Sequence, residues 1–226
     1  MSPRLAAALV LAVPLAAAGA SSAWRGPVPA LACPPGTDAV SRLTPTGQEE
    51  WCRRVDGGAR HGPSVAWHAN GRKQAEGGFL DGREQGAWTR WWANGRPLSK
   101  GAYQAGVKQG RWRFWHSSGV LQEEGEMRDG REQGVWRRWY ENGRPLSEGA
   151  YRDGVPDGAW SFWYNGGRIR EASEYRGGER RGPWRRWSVN GRACHAEPDA
   201  APSALSSSAR ARSPRSARRP AAVSAA

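Results

Sequence analysis

The sequence predicts an all-β fold, an elongated single-layer antiparallel sheet of repeated β-hairpins, and three observations carry that expectation. Glycine recurs every 24 residues without a slip, at Gly62, Gly86, Gly110, Gly134, Gly158 and Gly182. Tryptophan follows in two columns of the same frame. One holds Trp88, Trp112, Trp136, Trp160 and Trp184; the other holds Trp67, Trp91, Trp115, Trp139, Trp163 and Trp187. Dipeptides that close tight turns alternate along the frame, Asn-Gly at 70–71, 94–95, 142–143 and 190–191 and Asp-Gly at 81–82, 129–130 and 153–154. Self-similarity at a short fixed period marks a repeat array, in which each unit buries its apolar surface only against its neighbours.

Composition agrees with a thin array. The 226 residues carry a net charge of +13 and are only 38% hydrophobic, much of that alanine in the two ends. Twelve of the 14 tryptophans fall in the repeats, so large rings rather than aliphatic side chains must supply most of the buried apolar area. A thin elongated array is expected on that count rather than a thick aliphatic core.

Along the chain, residues 1–23 read as a secretory signal: Arg4, then an apolar run from Leu5 to Ala17, then small residues suited to cleavage. Ala30-Leu31-Ala32-Cys33 is a partial lipoprotein box, without the usual leucine three places before the cysteine, which makes lipid anchoring at Cys33 the lesser expectation. Residues 24–61 form a lead-in and capping segment that ends in a half repeat. In an oxidising compartment its Cys33 and Cys52 are expected to pair, leaving Cys194 over. Residues 62–197 hold six copies of the repeat, the first and last degraded. Residues 198–226 are Ala, Ser, Pro and Arg, a basic tail expected to be disordered because it has too little apolar surface to offset its ordering entropy.

Each copy reads as a hairpin. Two-residue primed turns at Asn-Gly and Asp-Gly need positive φ at both central residues. With Asn94-Gly95 as such a turn, Trp91 faces Leu98 and Trp88 faces Gly101, the ring protecting the glycine opposite it. Strand alternation then places Trp88, Trp92 and Tyr103 on one nearly dry face. Trp91, Trp115, Trp139 and Trp163 fall on the other, among charges, provided no bulge separates the columns. A longer rhythm overlays the first, with Arg90, Phe114, Arg138, Phe162 and Arg186 alternating at the fifth place; paired packing of neighbouring hairpins or duplication of a two-repeat unit would each produce it.

The pattern Gly-x-Trp-x-x-Trp-[Tyr/Trp]-x-Asn-Gly followed by Gly-x-Tyr-x-x-Gly, as in Gly86 to Gly106 and Gly134 to Gly154, resembles the bacterial variant of the MORN repeat (membrane occupation and recognition nexus). The resemblance covers residues 62–192. It implies an elongated single-layer sheet of hairpins. Members of this variant are often labelled as antitoxin components, which implies a protein partner; classical members are associated with membrane lipids and scaffolding. The export signal and the Cys33/Cys52 segment set this chain apart from cytosolic antitoxins.

Two sets of residues are candidates for binding. The ladder Trp67, Trp91, Trp115, Trp139, Trp163 and Trp187 offers evenly spaced rings to sugars, bases or a partner's apolar groups; the same rings could instead knit the sheet through cross-strand aromatic pairs. The column Arg72, Arg96, Arg144, Arg168 and Arg192 offers spaced cations to anionic lipid, polysaccharide or an acidic protein; as a solvated face, these arginines would stack over tryptophan. His68 and His116 share a column with Trp92, Tyr140 and Tyr164 and read as packing. No nucleophile–base pair, phosphate loop, zinc spacing or cofactor motif stands out, so no catalytic residue is expected. The sequence therefore points to an exported, non-enzymatic binding or scaffold protein with a protein partner first and an anionic lipid or polysaccharide surface second. Export makes nucleic acid an improbable ligand.

Overall fold

The computed structural model describes residues 31–196; the expected leader 1–23 and tail 198–226 lie outside them. Fourteen strands run in chain order through one sheet, each antiparallel to the next. They are β1 (Thr37–Thr44), β2 (Gly47–Arg54), β3 (Arg60–His68), β4 (Lys73–Leu80), β5 (Arg83–Trp91), β6 (Pro97–Gln104) and β7 (Val107–Trp115), followed by β8 (Leu121–Arg128), β9 (Arg131–Trp139), β10 (Pro145–Arg152), β11 (Val155–Trp163), β12 (Ile169–Arg176), β13 (Glu179–Trp187) and β14 (Ala193–Ala196). The all-β, single-layer hairpin array expected from the sequence is the architecture observed.

The segment ahead of Gly62 is a complete hairpin, β1–β2, rather than half of one. Gly47 stands 24 residues before Gly71 and Gly58 stands 24 before Gly82, so the frame extends into it. Val40 and Leu43 replace the two tryptophans there, which hides the repeat from a reading by aromatic columns. Cys33 and Cys52 form a disulfide, Cα–Cα 5.5 Å, with Cys52 fully buried. Closing a span of 19 residues contributes about 3 kcal/mol in the chain-entropy account. Cys194 is free and exposed.

The two turn types differ more than the sequence suggests. At Asp81-Gly82 both residues have positive φ, 48° and 81°, and Leu80 pairs with Arg83, a two-residue primed turn as expected. Asp129, Asp153 and, without a helpful side chain, Ala105 repeat that geometry. At Asn94-Gly95 only the glycine is left-handed, φ 85°. Trp92 N–H donates to Arg96 O and Gly95 N–H to Trp92 O, both at 2.8 Å, so Ala93, Asn94 and Gly95 make a three-residue loop. Trp91 consequently pairs with Pro97, not Leu98. Leu98 is then an extra residue, and that bulge restores the pairings Arg90 with Ser99 and Trp88 with Gly101. Two departures cancel, which is why the simpler turn arithmetic still places Trp88 opposite Gly101.

The strictest signal in the sequence, the 24-residue glycine, marks a bulge and not a turn. Glu76 pairs with Thr89 and Gly78 with Gln85, so Gly77 alone faces Gly86, Ala87 and Trp88. Gly86 accommodates the crowding at φ 74°, where a Cβ would be strained. The assumption of a bulge-free strand thus fails, but the stretch from Trp88 to Trp91 is regular on its own strand, and the two tryptophan columns point to opposite faces. The bulge has a further consequence. A Cβ on Gly77 would collide with the Trp88 ring, and one on Gly101 with the Trp112 ring; Gly125 and Gly149 stand likewise under Trp136 and Trp160. The ring covering Gly101 is therefore that of Trp112 in the following hairpin, not that of its pairing partner Trp88. Each indole reaches back over the preceding hairpin, and three of the four end through Nε1–H on a backbone carbonyl there, Trp88 on Gly78, Trp136 on Glu126 and Trp160 on Ala150, each at 3.1 Å, whereas the buried Nε1–H of Trp112 has no hydrogen-bond partner among the described residues. Trp112 and Trp136 are each 1% exposed. Burying such a ring removes about 200 Å² from water, on the order of 5 kcal/mol gross.

Beside the first hairpins, Glu50 on β2 is 9% exposed and takes one side-chain hydrogen bond, from the Gln48 amide at 3.2 Å. Burial raises its pKa, and the Gln48 bond only partly opposes that. A raised carboxyl pKa favours folding while the group is protonated, and that contribution is lost as pH rises through the folded-state value. Glu50→Gln is accordingly expected to melt at a higher temperature than the parent near neutral pH, the advantage vanishing as pH falls below the ordinary glutamate range; thermal scans across pH read this out. Gly125→Ala, which drives a methyl into the Trp136 ring, is expected to cost about 1–3 kcal/mol in denaturant unfolding. Val135→Ala, at a half-exposed neighbouring position, should stay within about 0.5 kcal/mol.

Candidate binding surface

The alternation of strands gives the sheet two unlike faces. The aromatic face carries Trp88, Tyr103, Trp112 and Trp136 as a buried cluster, flanked by Phe79, Phe114, Met127 and Tyr151. Its rings meet edge to face, Tyr103 on Trp112 and Tyr151 on Trp160, each at 5.0 Å between centroids. The fifth-place alternation has a structural basis here. Phe114 and Phe162 stack on Trp112 and Trp160 and lie across from Ser99 and Ser147. Arg138 instead lies across from Glu123 and bonds Glu123 (2.9 Å), Glu132 (2.9 Å) and the Tyr151 hydroxyl (3.1 Å). Arg90 makes the same bonds to Glu84 (2.6 Å) and Tyr103 (3.2 Å). Burial by itself would lower the Arg138 pKa, but its bonds to Tyr151 and Glu123 outweigh it, and the value is raised. Glu132 is raised chiefly by burial, with the charge of Arg138 opposing. This face is filled by its own rings and ion pairs over repeats two to five, with Trp112 Nε1, Arg170 Nε and Ser173 Oγ the buried side-chain polar atoms left without a partner among the described residues.

The other face is open and of mixed charge. Arg111 and Arg113 both donate to Glu124 Oε2, at 2.8 and 3.1 Å, and Arg137 donates to Glu148 at 3.2 Å. Burial pushes the Glu124 carboxyl up, but the two arginines together hold it below the usual range. Val135 is half exposed between these pairs, and a shallow hollow of about 250 Å³ lies among Arg111, Glu124, Val135 and Arg137. A second hollow, about 320 Å³, lies among Ala159, Ser161, Glu174, Arg185 and Trp187. Glu123 and Glu124, adjacent in sequence, thus serve opposite faces.

Of the expected ligand-contacting rings, Trp67 is buried, and Trp91, Trp115, Trp139, Trp163 and Trp187 are half-buried at the Asn-Gly edge. Their backbone carbonyls are the feature the sequence reading missed. Those of the five half-buried tryptophans each accept a hydrogen bond from the side chain 23 residues earlier: Trp91 from His68 Nε2 (2.9 Å), Trp115 from Trp92 Nε1 (3.0 Å), Trp139 from His116 Nε2 (3.0 Å), and Trp163 and Trp187 from the hydroxyls of Tyr140 and Tyr164 (2.8 Å each). The column that reads as packing is a column of hydrogen-bond donors. Its signal was legible, since His, Trp and Tyr share a donor at the end of a flat ring.

The expected arginine column is exposed, but it is not a simple solvated row over tryptophan. Arg72 and Arg96 donate through Nη1 to the carbonyls of Asn94 and Ser118 in the next turn, and Arg144 and Arg168 to Asn165 (3.4 Å) and Val189 (3.3 Å). Asn70 and Asn94 reinforce these ties, donating to Ala93 and Ser117 at 2.7 Å. Arg192, in the last hairpin, is exposed as well. The cations that do lie over rings are others, Arg60 on Trp51 at 4.3 Å and Lys108 on Trp112 at 4.6 Å among them. On the opposite edge Gln85, Gln109 and Gln133 accept from the N–H groups of Ala105 (2.8 Å), Asp129 (3.2 Å) and Asp153 (2.9 Å). There His61 holds Asp81, whose carboxyl sits below its usual range because of that hydrogen bond.

Among the described residues no group of His, Cys, Asp or Glu is placed to hold a metal ion, and no helix is long and apolar enough to cross a membrane. No curated protein matches the chain. Residues 108–129 and 132–153 each match the family model of the MORN repeat variant. The two matched segments begin 24 residues apart, and each spans one hairpin, β7–β8 and β9–β10, from just inside its first strand to the aspartate of the primed turn. The same bulge, indole and turn ties run through the hairpins on either side, so residues 108–153 are two MORN repeats within a longer array of the same construction.

Proposed function

We propose that this protein acts in the cell envelope or outside the cell and docks a protein partner on its mixed-charge face, a non-enzymatic role of the kind that MORN repeats have in general as binding and scaffold repeats. The observation that carries the reading is the contrast between the faces. One is filled by its own rings and ion pairs; the other presents arginines, carboxylates of both neighbouring repeats, a half-exposed valine and the edge of the tryptophan ladder. Arginine and aromatic groups are the residues enriched at protein interfaces, and the interleaved carboxylates weaken the attraction of this face for a polyanion. The family resemblance adds a role, neutralising a toxin-like partner in the manner of an antitoxin or immunity protein. The Cys33–Cys52 bond and the leader-like residues 1–23 support an oxidising, exported setting.

A second reading rests on the Asn-Gly edge. Arg72, Arg96, Arg144 and Arg168 are exposed there, and turns on one edge recur every two strands, about 10 Å apart. One guanidinium nitrogen of each is tied to the next turn, and the remaining N–H groups face solvent, suited to anionic lipid or polysaccharide.

Photo-crosslinking residues placed in the full chain at Val135 and Ala159, with Ala105 on the far turn edge as control, separate the two. The expected outcome is a discrete protein adduct from Val135 and Ala159 and none from Ala105. Absence of adducts, together with salt-sensitive co-sedimentation on anionic vesicles that is lost when the four arginines become alanine, would replace the first reading by the second.

A further inference from the structure

Among the described residues the filled aromatic face opens at the first repeat. At the fifth place, where later repeats carry Arg90, Phe114, Arg138, Phe162 and Arg186, the first repeat has Ala66. Its pairing partner is also reduced: Ala66 pairs with Ala75, at the position of Ser99, Glu123, Ser147 and Glu171. Two adjacent strands therefore offer only methyl groups, and a trough of about 450 Å³ opens between β2 and β5. That size falls in the range of small-ligand sites.

The walls of the trough are two Arg–Glu pairs held in place by rings. On one side Arg60 bonds Glu49 at 3.1 Å and lies between Trp51 (4.3 Å) and Phe79 (5.2 Å). On the other, Arg90 bonds Glu84 at 2.6 Å and lies over Trp88 (5.1 Å) and Tyr103 (5.7 Å). Each pair spends one carboxylate oxygen on its ion pair: Glu49 uses Oε2 and Glu84 uses Oε1, so the other oxygen of each can accept from a ligand. Gln74, at the bulge of β4, adds an amide with no hydrogen-bond partner among the described residues. Rigid polar groups of this kind lower the ordering cost of binding.

We propose that this trough binds a neutral sugar ring. Among the residues lining the trough the two arginines are balanced by the two glutamates, with Arg42 sharing Glu49 Oε2 at 3.4 Å from outside the lining, so the lining itself has no net charge with which to select an anion or a cation. A pyranose has the complementary construction: an apolar C–H face for the floor of Ala66, Ala75 and Leu98, and a rim of hydroxyls that donate to Glu49 and Glu84 and accept from Arg60, Arg90 and Gln74. The site lies on the face opposite the proposed protein-docking surface, so either can fail without the other.

The test titrates maltotriose, cellotriose and chitotriose into the full-length, oxidised protein by calorimetry. At least one is expected to bind, and Ala66→Phe is expected to abolish that binding. The variant copies Phe114 and Phe162, which the same frame already accommodates, and an undiminished melting temperature would show that it folds. Gln74→Ala is expected to weaken binding roughly 2- to 10-fold, the worth of one hydrogen bond. Co-sedimentation with insoluble amylose, cellulose or chitin would assign the site to a polymer, and binding in solution without it to a free sugar. Absence of binding by all three trisaccharides, or equal binding by a folded Ala66→Phe, would overturn the proposal.

Discussion

Every central hairpin is fastened to its predecessor by an indole laid across a glycine eleven residues back. Trp88 covers Gly77, Trp112 covers Gly101, Trp136 covers Gly125 and Trp160 covers Gly149. That contact requires three things at once: no side chain on the covered residue, an extra strand residue to swing the ring inward, and a left-handed glycine to make the bulge. A two-stranded hairpin is marginal by itself in water, so the indole bridge is what turns a string of hairpins into one sheet. Because the bridge always points backward, the first hairpin provides no indole to a predecessor, and a disulfide and the Pro34 ring pack against its neighbour's Gly62 instead.

The edges and the faces repeat with different periods. Along both edges the ties run between successive turns, with a side chain bonding backbone 20 residues on at the Asp-Gly edge and 21 to 23 at the Asn-Gly edge. Those interactions are satisfied by any residue with a donor at the right reach, hence His68, Trp92 and Tyr140 in one column. The aromatic face works in units of two hairpins. Glu123 lies between Phe114 and Arg138, and Ser99 between Arg90 and Phe114, so each polar residue has a cation on one side and a ring on the other; replacing Arg138 by Phe would leave Glu123 between two rings with no cation. Complementary packing can thus retain the two-repeat rhythm whether or not a duplication created it.

These structural duties narrow the surface available to a partner. The arginine column holds turns together, and the tryptophan ladder is half enclosed and accepts hydrogen bonds through its carbonyls. The mixed-charge face remains, together with the trough on the aromatic face where Ala66 and Ala75 interrupt the filling. Both are departures from self-satisfaction, and that is where a ligand can offer the array something its own repeats do not.

The fold was legible from the residues because the constraints are local and recur: 24-residue glycines, paired indoles, Asp-Gly at turns where both residues need positive φ. The Cys33–Cys52 bond was legible from two cysteines sharing one short segment. Other features needed the tertiary structure. A three-residue Asn-Gly loop followed by a bulge gives the same distant pairing as a two-residue turn, so sequence arithmetic does not distinguish them. Which glycine lies under which indole depends on a bulge between hairpins, and the first hairpin lacks the aromatic markers by which its kin were recognised. The candidate surfaces follow the same division. Residue columns can be read from spacing, but whether an arginine is spent on the next turn, or an alanine leaves a hollow, depends on what the neighbouring strand brings within a few ångströms.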